Sequence, residues 1–472
     1  MEKPGRDARL RYSSRVPINR LSLLLVGTIL GWSVACQRPA PGPPTGSYPE
    51  NVVVVLVDAL RADHMSTFGY RRRTTPFIDR MAAGGVVFEH ARSQASCTFP
   101  SVNSIFTSRY PGPFLRQAEG QMGIPETMPA IAGILQSSGF HTTAVSASLI
   151  VRATPTDYNP NGGFGRGFDT FVERCAWRHG DCVNNKVFRQ LDTIEEPFFL
   201  YIHYLEPHAN YQPPENYPLH FAQPYEGYDF IRDGDPNPIA KMLYDGGPTI
   251  DLSDGDIQHL VDLYDDEIRA FDGIFKRLID RLRDQGLLER TLIVLASDHG
   301  EEFLEHGHIT HCRGIWSTLS HVPLIFWVPG VEAGSRVQGA VENIDIVPTV
   351  LDYLGIPADG FGFQGKSLRP LIEGRDAWQR FAFADQGKYR SVDDGRFHLI
   401  FDGADKTATL FDIAVDPLEQ HDLYAPDHPA VAPLTKALND WLAANGQALK
   451  FDEALAAARA KEEELRSLGF LQ

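Results

Sequence analysis

The sequence predicts a doubly wound α/β fold, with a mainly parallel sheet covered by helices on both faces, followed by a small antiparallel sheet. Three observations carry this. Two near-continuous apolar runs, Asn51–Val57 and Thr291–Ser297, lie about 240 residues apart, and each stops at an acid, Asp58 and Asp298. Runs of this kind are typical of strands buried on both faces. Segments of helical periodicity alternate with further apolar runs. Near residue 375 the texture changes to short strand-like pieces separated by turns.

After the first strand, Thr74–Ala83 reads as a short helix, with Thr74 or Thr75 as cap, Pro76 in the first turn and Gly84-Gly85 as the stop. Val86-Val87-Phe88 starts an extended piece. Pro129–Gln136 is helical, His141–Ser146 is a strand, and Pro197–Tyr204 is another that runs into Glu206-Pro207-His208. Apolar residues from Ile257 to Leu282 recur at steps of three and four, marking a long amphipathic helix that leads into the Asp298 strand. Phe381–Ala384, Tyr389–Val392, Phe397–Phe401 and Ala408–Phe411 read as the antiparallel sheet. Val431–Leu442 and Ala454–Glu464 read as helices.

With 472 residues, 43% of them hydrophobic, the chain can build one large core and a smaller one. Its net charge of −17 argues against a nucleic-acid partner, which wants a basic face. The run Arg71-Arg72-Arg73 is too small for an anion-binding patch and reads as a solvated loop. Five arginines between Arg6 and Arg20 precede the apolar segment Leu21–Ala35, which is short for a membrane span. Cys36 and a Pro/Gly-rich spacer follow. The expected division is a signal segment at 1–36, a linker at 37–50, a catalytic domain at 51–375, a C-terminal α+β subdomain at 376–446 and a helical tail at 447–472. Four further cysteines suit an oxidising compartment. Cys97, Cys175, Cys182 and Cys312 allow three pairings, with free buried thiols as the alternative.

Ligands in open α/β sheets bind beyond the carboxyl ends of the strands. Asp58, Asp298 and His299 therefore converge there as candidate ligands of one divalent metal ion. In Ser93–Thr107, Pro100 suits a first helical turn and places Thr98 or Phe99 at a helix N-terminus. Free N–H groups and a positive dipole at such an end favour a sulfate or phosphate. A metal-bound hydroxyl there becomes a nucleophile. An N-cap role is the plainer reading of Thr98 alone.

In order along the chain, Asn51–Asp63, Thr74–Ala83, Ser93–Pro111, Glu206-Pro207-His208, Ser297–Glu302, Val322–Ile325 and Asn343–Pro357 resemble the sulfatase family of the alkaline phosphatase superfamily. So do Leu410–Glu419 and Leu465–Phe470. The resemblance implies an alkaline-phosphatase-like fold and a hydrolase of sulfate or phosphate esters. It implies Asp58, Asp298, His299 and Thr98 as metal ligands and Thr98 as the nucleophile. His208 and His311 would hold the ester oxygens, with His306 and Asn103 as further substrate contacts; His308 stays solvent-exposed. The metal is Ca²⁺, Mn²⁺, Zn²⁺ or Mg²⁺. Substrates would be sulfated or phosphorylated glycans or small molecules. The N-terminus resembles a lipoprotein signal, implying an exported, membrane-anchored protein; secretion and an uncleaved anchor are the alternatives.

Two departures matter. Formylglycine sulfatases carry Cys-x-Pro-x-Arg, whereas Pro100 puts Thr98 in the cysteine's slot and Val102 in the arginine's. Cys97 as nucleophile is the competing frame. Ala59 replaces an expected second aspartate, which tilts the metal toward Mn²⁺ or Zn²⁺. The competing functions are phospho-alcohol transfer on envelope glycans or lipids, and a non-catalytic surface lipoprotein that binds anions or glycans.

Overall fold

A computed structural model describes residues 49–112, 123–124, 127–156, 159, 162–173, 175, 180–228, 252–331, 334–377 and 380–446. The signal segment, nearly all of the linker, the 447–472 tail and residues 229–236 of the loop after His208 lie outside these.

Among the described residues the large sheet has eight strands in the order β10-β2-β9-β6-β1-β5-β3-β4. These are β1 (Asn51–Val57), β2 (Val86–Arg92), β3 (His141–Ser146), β4 (Thr170–Val172), β5 (Phe198–Tyr204), β6 (Thr291–Ser297), β9 (Leu324–Trp327) and β10 (Ser335–Glu342). All neighbours pair in parallel except β9, which runs antiparallel to β2 and β6. A separate two-stranded ladder joins β7 (Glu302–Phe303) to β8 (Ile309–Thr310).

The apolar run of β1 is buried because it serves two cores at once. Val53, Val55 and Val57 face one, with Leu260, Ile268, Phe271 and Leu278 of the long helix. Val52, Val54 and Leu56 face the other, with Val102, Ile105 and Phe106 of the helix that starts at Thr98. In chain order the described helices are α1 (Pro76–Ala82), α2 (Thr98–Thr107), α3 (Ile131–Ser137), α4 (Gly180–Leu191), α5 (Asp254–Asp284), α6 (Ser317–Ser320), α7 (Ile346–Tyr353), α8 (Arg369–Ile372) and α9 (Val431–Ala444). Helix α5 opens on a capping box between Ser253 and Asp256. Of the basic run expected in a solvated loop, Arg71 and Arg73 are exposed, while Arg72 is partly buried and tied to this helix through Asp262 and Asp265.

Strands β11 (Ala382–Gln386), β12 (Tyr389–Asp393), β13 (Phe397–Asp402) and β14 (Thr407–Asp412) form the four-stranded antiparallel sheet, in sequence order. Val392, Leu399 and Leu410 pack under Leu434, Leu438 and Trp441 of α9. Two disulfides join Cys97 to Cys312 and Cys175 to Cys182. Cys97 is thus oxidised, which takes away the thiolate on which the competing nucleophile frame rests.

Candidate active site

Strand register brings the acids together. Val57 of β1 pairs with Ser297 of β6, so Asp58 and Asp298 leave adjacent strand ends side by side. Leu56 pairs with His203 of β5, which places an imidazole beside them. One ligand atom from each of Asp58, His203 and Asp298 lies within 4.8 Å of the others, and all three residues are buried. The chain turns sharply after Asp58: Ala59 has φ 58°, and its N–H donates to Asp298 Oδ1 at 3.2 Å. Gly300 is required two residues after Asp298, because a Cβ there would collide with the Thr318 carbonyl.

Helix α2 starts beside this cluster. Thr98 is its first helical residue, with Cys97 as the extended N-cap. Ser101 Oγ donates to the Asp298 carbonyl at 2.7 Å, tying the helix to the end of β6. Thr98 Oγ1 lies 3.1 Å from His299 Nε2. Because His299 Nδ1 faces the Gly300 carbonyl at 2.9 Å, Nδ1 carries the proton and Nε2 presents its lone pair to the Thr98 hydroxyl. Burial, reinforced by neighbouring His311, pushes His299 down to about 3, so the ring is neutral.

The electrostatics fit a cation. Asp58 Oδ1 and Asp298 Oδ2 are buried and accept no hydrogen bond. His299 Nε2 stands 3.5 Å from each of them. Acceptors therefore face one another with no donor between them, an arrangement that costs several kcal/mol unless a cation fills it. Burial pushes both carboxyls up. For Asp58 the neighbouring His208 and the hydrogen-bonded His203 outweigh it and hold the group low. For Asp298 the charge on Asp58 adds to burial and drives it well above the usual range.

The anion-side histidines sit on the same rim. His208 and His311 have ring centroids 4.9 Å apart, and His311 is 4.3 Å from His299. Glu301 organises both. It accepts from His311 Nδ1 at 2.5 Å, from Tyr211 at 2.7 Å and from the Ala209 N–H, next to His208, at 3.2 Å. Burial would lower His311, but Glu301 outweighs it and raises the imidazole. His311 opens onto a cavity of about 540 Å³, which is also lined by His308, Cys312, Arg313 and Lys388.

Two expected substrate contacts are not gathered here. His306 is engaged at both nitrogens, by Glu302 at 2.6 Å and the Glu419 carbonyl at 3.2 Å, and stacks on Trp316. Asn103 is buried in the body of α2, donating to the Phe99 carbonyl at 2.9 Å. His308, expected in solvent, is half-buried in the cavity wall. His203 and Glu301 were not foreseen. The available signal for His203 was a polar residue near the carboxyl end of a buried apolar strand, the same signal that picks out Asp58 and Asp298.

The profile of the sulfatase family matches residues 50–356. The chain belongs to the sulfatase family. A second profile, for the C-terminal part of N-sulphoglucosamine sulphohydrolase, matches residues 305–447 of this sulfatase. A protein described as a sulfatase from Formosa agariphila is 24% identical over 421 residues, covering 78% of this chain and 82% of the relative. Arylsulfatase K of Gallus gallus is 26% identical over 463 residues, covering 84% and 83%. A structure solved with its substrate D-glucosamine-2-N,6-O-disulfate superposes with a TM-score of 0.68 at 18% identity, over 85% of this chain and 99% of that one. Phosphonate monoester hydrolase of Agrobacterium radiobacter gives 0.64 at 21%, over 87% and 96%. At these identities the superpositions establish the shared fold. Family membership makes the protein a sulfuric ester hydrolase with the alkaline-phosphatase-like architecture.

Proposed function

We propose that this sulfatase cleaves a sulfate ester by attack of the Thr98 hydroxyl on sulfur, beside one divalent cation that Asp58, His203 and Asp298 would hold, with His299, whose one free lone pair faces Thr98, left to act as the base rather than as a ligand. The observation that carries the reading is the 3.1 Å approach of Thr98 Oγ1 to a neutral His299 Nε2, next to two carboxylate oxygens with no hydrogen-bond donor. When bound, the cation supplies Lewis acidity that makes a coordinated hydroxyl more acidic and draws charge from sulfuryl oxygens. A donor set of carboxylates, imidazole and hydroxyl favours Mn²⁺ or Zn²⁺ over Ca²⁺ or Mg²⁺.

Each residue then has a task. His299 Nε2 accepts the Thr98 proton as the new Oγ–S bond forms; the ester S–O bond breaks, and the departing oxygen takes up that proton and leaves as the alcohol. His208 and His311 neutralise the non-bridging oxygens, with Glu301 favouring the charged form of His311. Water then attacks the sulfur of the Thr98 sulfate ester, breaks the Oγ–S bond and restores the hydroxyl.

Sulfated sugars and aryl sulfates are the substrate classes best supported by the relatives' names and by a cavity of about 540 Å³ rimmed with Arg313 and Lys388. Two disulfides and the basic-then-apolar N-terminus support export. A lipid anchor at Cys36 is tested by mass spectrometry of the mature N-terminus.

Thr98→Ala is expected to lower kcat at least about 10⁴-fold, as deletion of a covalent nucleophile does, while circular dichroism stays unchanged. Wild-type turnover in that variant would sink the mechanism. A second reading, phosphate ester hydrolysis or phospho-alcohol transfer by the same residues, is favoured by an unmodified threonine in the formylglycine slot. A panel of sulfate and phosphate esters with each of the four divalent ions separates the two.

A further inference from the structure

The Cys97–Cys312 disulfide joins two residues that each adjoin a functional side chain. Cys97 immediately precedes Thr98, and Cys312 immediately follows His311. The bond spans 215 positions of sequence, and the two Cα atoms are 5.0 Å apart. Among the described residues, the segment is otherwise held by single hydrogen bonds, such as that of His311 to Glu301, and by the packing of Ile309, with no long strand pairing to fix it. Strand β8 contributes only Ile309 and Thr310, and it pairs only with the two-residue β7.

The segment carries backbone strain on both sides of His311. Thr310 has φ 72° and Cys312 has φ 73°, left-handed values that a β-branched threonine rarely adopts. Such conformations persist where the surroundings over-determine them, and they cluster at functional sites. Here the surroundings are the disulfide and a short zipper beside it. The Cys312 N–H donates to the Ser96 carbonyl at 2.9 Å, and Ser96 Oγ donates to the Gly314 carbonyl at 2.6 Å. Gln386, from the small sheet, donates to Cys97 Sγ at 3.1 Å.

We propose that this disulfide is a positioning element of the active site: it sets the separation between the Thr98 hydroxyl and the His311 imidazole. It rests on the Thr98 and His311 assignments above. The second disulfide, Cys175–Cys182, closes a loop of seven positions, abuts neither residue and serves as an internal control. Because Cys97 and Cys312 are partly exposed and Cys312 lines the cavity, a small reductant can reach the bond. A trialkylphosphine takes oxygen from water and becomes the phosphine oxide. The two electrons and two protons released leave Cys97 and Cys312 as thiols. The site would then lose its set geometry until an added disulfide reoxidises the pair, taking up those electrons and protons as two thiols of its own.

The test compares wild type, Cys97→Ser/Cys312→Ser and Cys175→Ser/Cys182→Ser, using p-nitrophenyl sulfate turnover and the inhibition constant of inorganic sulfate. Loss of the first disulfide is expected to lower kcat about 10–100-fold and to weaken sulfate inhibition about tenfold, in the range seen when an orienting partner is removed. The control variant should keep both within about twofold. A fall in Tm alone, with kcat and sulfate inhibition at wild-type values, would overturn the proposal and leave the bond a purely structural staple. Should the first variant fail to fold, phosphine treatment of wild type replaces it, with alkylation and mass spectrometry reporting which sulfurs were reduced. Reversible loss of activity that tracks Cys97 and Cys312 supports the proposal; full activity with both reduced overturns it. Thr98→Ala run in parallel keeps the two readings apart. Turnover in that variant removes the nucleophile assignment, whereas weaker sulfate inhibition without the disulfide still reports a displaced His311.

Discussion

A threonine hydroxyl is a poor nucleophile at neutral pH, so Thr98 depends on what its neighbours are held to do. His299 can accept its proton because the Gly300 carbonyl fixes the tautomer and burial keeps the ring neutral. His311 does the opposite work because Glu301 favours its charged form. Glu301 touches no reacting atom, yet it orients His311 directly and reaches His208 through the Ala209 N–H. Glu301→Gln keeps the shape and removes the charge. It is expected to lower kcat/KM about 10–100-fold, and a steady-state assay beside an unchanged circular dichroism spectrum checks this. An unaltered kcat/KM would mean that His311 is held by other means. Thr98, Asp58, Asp298 and His299 were legible in the sequence because each stands at an abrupt change of pattern, an apolar run stopping at a polar residue or a helix beginning at a proline. His306 misled for the converse reason. A histidine near functional residues says nothing about whether its nitrogens are already occupied by Glu302 and the Glu419 carbonyl.

Among the elements, β1 and β6 were legible from composition, and α5 from its period, because each is long enough for its pattern to repeat. Strands β4, β7 and β8 have three residues or fewer and carry no period. Strand β10 was missed because its first half is solvent-exposed and polar. The small sheet was recognised as a set of strands, but not how it is fastened. Arg92 at the end of β2 donates to Asp393 of β12 at 2.5 Å, and to Ser317 and Ser320 of α6 at 3.0 Å. Glu419 accepts from Ser317 and from His398 of β13, each at 2.6 Å. Burial would raise both acids, but Arg92 and His398 outweigh it and hold Asp393 and Glu419 below their ordinary values. A depressed carboxyl contributes stability above its unfolded pKa, and that contribution is lost as pH falls through the folded value. Urea midpoints measured at pH 7 and near pH 3.5 should therefore fall with acid. Glu419→Gln should cost about 3 kcal/mol at pH 7 and show a smaller acid-dependent drop. Parallel pH slopes in the two proteins would mean that this cluster carries no acid sensitivity.

Over the whole molecule, the active site exists because the parallel register of β5, β1 and β6 delivers their carboxyl ends to one place. The sequence named two of those three strand ends as chemical. The third, at His203, carried the same local signal, but the strand order that sets it beside Asp58 and Asp298 is a long-range property that no local pattern encodes, and the choice among three cysteine pairings was hidden for the same reason. Bringing the acids together has a cost that must show in stability. With no cation bound, Asp58 and Asp298 are buried like charges, and Asp298 is driven toward its protonated form. Asp298→Asn preserves an oxygen for the Ala59 and His299 N–H groups and removes the repulsion. In chelator the variant should be the more stable protein. At a free Mn²⁺ or Zn²⁺ concentration 100-fold above Kd, wild type gains about 2.7 kcal/mol and the variant, with a ligand gone, gains much less. The order of stability should therefore reverse on adding metal. Urea denaturation of both proteins, with and without the ion, reads this directly. If wild type is the more stable in chelator and neither protein responds to any of the four ions, the converging acids do not form a metal centre.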